Sequence, residues 1–257
     1  MLGAVYTDRP TVQPLTPLLW LGRIHARKPQ YQEVTRLFAA LSMGIAELET
    51  FYSKVDFDVV SDARVFPHIT SFIDRGTRRE VKFRYEGYAD PIPGGTRAVF
   101  IAKTEDNRKI VVKFAETYND VAHALLAAQG FAPQLLSCDR STLAGFVIVI
   151  MDYVNGKQLR HKYHEGNRIP TKILRQIRNA LDHLHGEGFV FGDLRWPNVL
   201  ITGEPVHIKL VDFDWCGKVG EGEYPPDINH VATGWPEGVV PGGLMQFEHD
   251  KEMLMNL

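Results

Sequence analysis

Four side chains of types suited to moving a phosphoryl group occur in order along the 257 residues: Lys113, Asp193, Asn198 and Asp212. Asp193 and Asn198 stand five positions apart in Phe191-Gly192-Asp193-Leu194-Arg195-Trp196-Pro197-Asn198. A carboxylate can orient and deprotonate a hydroxyl group. An amide carbonyl is a hard, neutral oxygen ligand that suits magnesium. Arg195 adds a cation two positions after the acid. Asp212 ends the apolar run in Lys209-Leu210-Val211-Asp212-Phe213-Asp214, 19 residues beyond Asp193 and across a predicted hairpin. Lys113 interrupts the alternating stretch Ile110-Val111-Val112-Lys113-Phe114, where a lysine supplies a compact point charge for phosphate. Phosphoryl transfer from a nucleotide needs few other parts: neutralised phosphate charge, a held magnesium ion, and a base beside the acceptor.

The elements that must position these groups are legible in outline. Val81–Tyr85, 97–103 and Ile110–Phe114 read as an antiparallel meander, with turns at 91–95 and at Asp106-Asn107. Asn119 is placed to cap a short helix with Val121, Ala122, Leu125 and Leu126 on its apolar side and Gly130 at its end. Gln134–Leu136 and the almost wholly apolar Phe146–Tyr153 are strands. After Gly156 the chain turns helical, and Pro170 opens a long helix carrying Ile173, Leu174, Ile177, Leu181 and Leu184. Two strands, Val199–Thr202 and His207–Val211, flank a turn at 203–205, and a last helix is expected near Phe247–Leu254. Strands with one helix followed by helices imply an α+β body of two lobes with a cleft between them.

The first 30 residues carry four prolines and read as an extended arm that Trp20, Leu21 and Ile24 could pin down. From Tyr31 to about Tyr52, Val34, Leu37, Phe38, Leu41, Ile45, Leu48 and Phe51 recur at helical spacing. That stripe implies a helix packed on its own domain or, alternatively, one that binds a partner. The cluster Arg75, Arg78, Arg79, Lys82 and Arg84 alternates with Val81, Phe83 and Tyr85, as on the wet face of a strand, or alternatively could touch a phosphate or an acidic partner. His123, His183 and His185 show no metal-ligand spacing and read as packing or surface histidines.

Three segments resemble the protein kinases. The Asp193–Asn198 segment is similar to their catalytic loop. Asp212-Phe213-Asp214 resembles the Asp-Phe-Gly turn with Asp214 in place of glycine. Ile110–Phe114 resembles the Val-Ala-Ile-Lys strand. The resemblance implies roles: Asp193 as the base, Arg195 as a cation facing the γ-phosphate, Lys113 on the α- and β-phosphates, and Asn198 and Asp212 as magnesium ligands. Met151-Asp152-Tyr153-Val154 resembles the hinge that binds adenine through backbone groups, which puts Met151 and Tyr153 at the nucleotide. Gly94 and Gly95 lie where a glycine-rich loop would cover the phosphates, without its full pattern. The helix after Lys113 should supply a glutamate to hold the lysine, and it offers Asp120, with Glu116 just upstream.

Phe191-Gly192 stands in place of His-Arg, a spelling similar to atypical and aminoglycoside-type kinases. Tyr118 with His123, 130–133, 212–217, Tyr224-Pro225, 242–244 and His249-Asp250 look like a group of fungal kinase-like proteins. Only 45 residues follow Asp212 and Ala-Pro-Glu is missing, which implies a minimal, atypical kinase with a truncated C-lobe and an N-terminal helical extension. The expected parts are an arm and helix over 1–60, a sheet lobe over 61–154 and a helical lobe over 155–257. Asp214 either stiffens its loop or adds an acid near the metal.

The leading expectation is a Mg-ATP-dependent serine/threonine kinase. A nucleotide-binding pseudokinase scaffold and a small-molecule phosphotransferase are the alternatives. A net charge of -2 argues against a dedicated nucleic-acid binder. The apolar runs fall well short of the roughly 18 residues that span a bilayer, and two cysteines read as reduced thiols. An intracellular protein, cytoplasmic or nuclear, is expected, with a protein or small-molecule hydroxyl acceptor and no membrane partner. The sequence leaves the oligomeric state open.

Overall fold

A computed structural model describes residues 3–6, 11–14, 28–54, 66–89, 98–141, 146–163, 168–226, 228 and 234–257. The chain divides into two compact units, 1–69 with 92–97 and 70–91 with 98–257.

In the first unit, β1 (Gly3–Tyr6) pairs with β2 (Thr11–Pro14) as an antiparallel hairpin. The sequence anticipates the extension there but not the pairing. Trp20, Leu21 and Ile24 lie outside the described residues. Helix α1 (Lys28–Tyr52) starts three residues earlier than expected. Of its apolar stripe, Val34, Leu37 and Leu41 are half-buried, whereas Phe38 (53%) and Phe51 (60%) are exposed, with Ile45 and Leu48.

The second unit holds the three segments that resemble the protein kinases and the hinge-like segment 151–154. Its strands β3 (Ser71–Ile73), β4 (Glu80–Tyr88), β5 (Val99–Thr104), β6 (Lys109–Ala115), β7 (Leu135–Asp139) and β8 (Val147–Asp152) form a six-stranded antiparallel sheet in the order β3-β4-β5-β6-β8-β7. Alternation drives it. Phe100, Ala102 and Thr104 of β5 turn inward while Val99, Ile101 and Lys103 are half-buried, the period-2 pattern of a pleated strand. In β8 the apolar run is buried on both faces, and β6 and β7 pair with its two edges. The expected turn at 91–95, with Gly94 and Gly95, lies outside the described residues.

Helix α2 (Asp120–Ala128) begins where the sequence predicts. The Asn119 Oδ1 accepts the Ala122 N–H at 3.0 Å, satisfying one of the amides a helix start leaves unpaired. Its buried face is Ala122, His123 and Leu126, and Val121 points to solvent instead of inward.

The chain then enters a short strand, β9 (Gly156–Gln158), before α3 (Leu159–Lys162). The sequence implies helix directly after Gly156, but that glycine lies so close to Ile201 O that an added Cβ would sit 2.7 Å away. Only a residue without a side chain permits the pairing. Helix α4 (Thr171–Gly186) buries Ile173, Ile177, Ala180, Leu181 and Leu184, a stripe at 3.6-residue spacing. Each fully buried aliphatic side chain there is worth roughly 1.5–3 kcal/mol of transfer free energy.

Strands β10 (Phe189–Val190), β11 (Val199–Thr202), β12 (His207–Leu210) and β13 (Gly217–Lys218) follow, with helix α5 (Phe247–Met255) last. β11 pairs with both β12 and β9, and β10 pairs with β13. The two loops expected to carry chemistry are thus the links β10–β11 and β12–β13, each anchored at both ends by a short ladder. Among the described residues no helix is long and apolar enough to cross a membrane. Cys138 and Cys216 are both free thiols.

Candidate functional site

The β10–β11 link is held from below by one acid. Asp250, in the first turn of α5, is fully buried. It accepts the Phe191 N–H at 2.8 Å, the Gly192 N–H at 2.9 Å and a bond from His185 Nε2 at 2.9 Å. Gly192 has a left-handed φ of +77°, and a Cβ there would stand 3.1 Å from Trp215 O, so the glycine at this position is a steric requirement.

Asp193 emerges 3% exposed. The Arg195 guanidinium forks onto it, Nε to Oδ1 and Nη2 to Oδ2, while Asn198 Nδ2 donates to Oδ2 at 2.7 Å and to the Asp193 carbonyl at 2.9 Å. Burial pushes the Asp193 carboxyl up to about 6, against the pull of the Arg195 hydrogen bond and charge. Arg195 itself lies beside two neighbouring indoles, 5.5 Å from the Trp215 ring and 5.1 Å from that of Trp235, where cation–π attraction adds to the fork. Its charge therefore faces Asp193 in this structure.

The β12–β13 link runs alongside. Val211 N–H donates to Asn198 O at 3.0 Å, tying the two loops together. Asp212 has a left-handed φ of +76°, a conformation uncommon outside glycine and best tolerated by Asp and Asn. The next residue locks the turn. Phe213 is fully buried, stacked on His123 at 4.7 Å and 8°, and edge-on to Phe191 at 5.4 Å. From the sheet side, Thr117 Oγ1 donates to Asp214 O at 2.9 Å, Asn119 N–H to Phe213 O at 3.1 Å and Asn119 Nδ2 to Cys216 O at 3.0 Å.

Lys113, on β6, reaches these acids across 99 residues of chain. Its Nζ lies 2.5 Å from Asp212 Oδ1 and 2.6 Å from Asp214 Oδ1. Burial alone would lower the Lys113 pKa, and the two carboxylates reverse this, so the ammonium is held above its ordinary value. Asp214 is pushed upward by burial, with Lys113 pulling the other way.

The structure brings Lys113, Asp193, Arg195, Asn198 and Asp212 together and corrects two other expectations. Asp120 does not hold Lys113. Its carboxylate takes Arg75 Nη1 at 3.2 Å and Arg140 Nη2 at 2.8 Å, because the first turn of α2 lies beside those arginines. In the hinge, Tyr153 N–H donates to Lys109 O at 3.1 Å, which removes that amide as a donor to adenine. Met151 is buried within the sheet, in register with Val111 and Leu135. Asp152 is clasped by Arg108 at 2.6 and 2.9 Å.

The donor set fits magnesium. Asn198 commits its Nδ2 to Asp193, leaving the amide oxygen for a cation, and Asp212 supplies one carboxylate beside it. One or two protein oxygens is the usual share for an ion whose other ligands are phosphates and water. Among the described residues no group of three or more His, Cys, Asp or Glu could hold a metal by itself.

Sequence reasoning missed Asp250 as a support for the loop. The available signal was its place on the apolar face of α5, in phase with His249, Met253 and Leu254. It also missed how His123 is used. The Pro133 carbonyl can only accept, so the His123 Nε2–H donates to it at 2.9 Å and Nδ1 accepts from Tyr118 Oη at 2.7 Å. That neutral tautomer is favoured, and burial drives the His123 pKa down from 6.5 to about 4.

The sign follows by linkage. Below pH 6.5 the unfolded chain takes a proton that the fold refuses, so this contribution to stability is whole above pH 6.5 and is lost toward pH 4. Between pH 7 and 5 wild type should lose about 2 kcal/mol more than His123→Gln in urea unfolding. Equal losses in the two proteins would refute the assignment.

The protein kinase domain family matches residues 99–235. The chain is 32% identical over 125 residues to protein kinase C zeta type of Oryctolagus cuniculus, covering 46% of this chain and 20% of that protein. It is 28% identical over 99 residues to cAMP-dependent protein kinase type 3 of Saccharomyces cerevisiae, covering 37% and 23%. With the probable cAMP-dependent protein kinase catalytic subunit of Encephalitozoon cuniculi it shares 33% over 115 residues, covering 43% and 33%. The chain thus spans a third or less of these relatives' own length. The solved structure of the Cydia pomonella Granulovirus kinase superposes with a TM-score of 0.50 at 18% identity, over 67% of this chain and 65% of that one, a likeness of fold. The match covers more than half of the chain and takes in the strand of Lys113 and both loops described above: the chain belongs to the protein kinase domain family.

Proposed function

We propose that this protein is a Mg-ATP-dependent phosphotransferase acting on serine or threonine hydroxyls of an intracellular protein. Residues 61–154 serve as its sheet lobe, 155–257 as its helical lobe and 1–60 as an N-terminal extension. The observation that carries the reading is the convergence of Lys113, on β6, and Asp212, in the β12–β13 link, on one ion pair. A cation and an acid left 9% and 10% exposed are costly to desolvate, which is the expected price at a site built to receive a charged ligand.

In this reading Lys113 binds the α- and β-phosphates, and Asn198 and Asp212 hold magnesium. What the metal supplies when bound is neutralisation of charge on the transferring phosphoryl group. Asp193 accepts the proton of the acceptor hydroxyl, oriented by Asn198 and Arg195. The curated relatives it resembles are protein kinases, which favours a protein acceptor over a small molecule.

A second reading, a nucleotide-binding scaffold without turnover, draws on one observation: Arg195 and Asn198 already engage both oxygens of Asp193. Thermal unfolding with ATP separates the possibilities. At 100 times Kd the ligand stabilises by about 2.7 kcal/mol, which raises Tm by roughly 5–10 °C for a domain of this size. The shift should need Mg2+, shrink in Lys113→Met and lose its metal dependence in Asp212→Asn. No shift in wild type, with or without Mg2+, would sink the proposal. A shift without phosphate release on any protein acceptor supports the scaffold, and release stimulated only by a hydroxylated metabolite supports a small-molecule acceptor.

A further inference from the structure

Lys113 is 7% exposed, so its amine requires a partner at that depth. The helix that follows it cannot provide one. α2 carries a single acid, Asp120, and Arg75 and Arg140 occupy it.

Two other carboxylates meet the ammonium, Asp212 and Asp214, and they are not equivalent. The proposed function assigns Asp212 to the metal, and a carboxylate drawn toward a divalent cation relaxes its hold on a neighbouring ammonium. Asp214 is then the acid left to Lys113. Its backbone is fixed without help from a ligand. Thr117 bonds its carbonyl, Phe213 on one side is wedged between His123 and Phe191, and Asn119 pins Phe213 O and Cys216 O. Its φ lies outside the left-handed region, so this turn accepts a side chain where the resembling motif has glycine.

We infer that Asp214 is the positioning residue that anchors Lys113 for nucleotide binding, filling the role that an acid on α2 would otherwise take; as a part of phosphate binding this rests on the phosphotransfer reading above. The departure from Asp-Phe-Gly and the lack of a helix glutamate thereby become one exchange. The acid has moved from the helix to the loop.

The test reads the anchor first without nucleotide. Lys113 is labelled with an amine-reactive ester in the presence of Mg2+ alone and followed by mass spectrometry. Loss of a charged hydrogen-bond partner should speed labelling about tenfold or more in Asp214→Asn, with return toward the wild-type rate in Asp214→Glu. An unchanged rate in both Asp214→Asn and Asp214→Ala, each still folded by Tm, overturns the inference.

The second readout is kcat/KM for ATP, which should fall about tenfold or more in Asp214→Asn and little further when the same change is made in Lys113→Met. Equal losses in the two backgrounds also overturn it. If wild type neither binds nor turns over Mg-ATP, the phosphotransfer reading fails, and the labelling rates alone decide whether Asp214 holds Lys113.

Discussion

Asp193→Ala turns over a hydroxyl acceptor about 10²–10⁴-fold more slowly than wild type, the span that a positioned general base contributes, while Mg-ATP binding persists. The expectation follows from placement. Asp193 is buried, its carboxylate is oriented by Arg195 and Asn198, and the proposed metal ligands are the separate side chains of Asn198 and Asp212. Removing the carboxylate takes away the proposed proton acceptor and leaves Lys113, Asn198 and Asp212 unsubstituted. Arg195 keeps its place beside Trp215 and Trp235, so the loop retains a support that does not depend on the acid. Asp193→Asn preserves shape and serves as the control for folding. Single-turnover phosphate release, alongside equilibrium binding of ATP, is the measurement. Wild-type turnover by both variants would remove Asp193 from the chemistry, and loss of binding together with turnover would make it a structural residue.

Asp250→Ala is expected to have the largest effect on stability. The carboxylate is fully buried and satisfies two backbone amides, Phe191 and Gly192, as well as His185. Each buried donor stranded by its removal costs about 1–3 kcal/mol, so a loss of roughly 3–5 kcal/mol is expected, lowering Tm by about 10 °C or more. Asp250→Asn keeps one acceptor oxygen and should fall between. The exposed Glu248, on the opposite face of the same turn of α5, provides the comparison. If Asp250→Ala unfolds no more easily than Glu248→Ala, the acid does not support the loop. Because the same bonds hold the residues just before Asp193, turnover should drop in Asp250→Asn even at temperatures where the protein remains folded.

The sequence resolved those features whose cause is local. Strand alternation in Val99–Thr104, the helix stripe of Ile173, Ile177, Leu181 and Leu184, and the Asn119 cap each depend on residues within a few positions of one another. Short elements escaped for the complementary reason. β10 and β13 are two residues each, too few for any periodicity, and exist because they pair with each other. β9 depends on an approach to Ile201 that nothing near Gly156 announces.

At the site the same division holds. Residue type, together with the resemblance of their segments to those of the protein kinases, singled out Lys113, Asp193, Asn198 and Asp212 as groups able to bind phosphate, accept a proton and hold a hard cation, since those capacities belong to the side chains themselves. Which charges meet was decided only by the tertiary structure. Asp120, nearby in sequence, is drawn to Arg75 and Arg140, while Asp214, 101 residues away, reaches Lys113. Asp250 supports a loop some 58 residues before it. A buried charge takes the partner that the fold brings within hydrogen-bond distance, and that competition among distant groups leaves no mark in local sequence order.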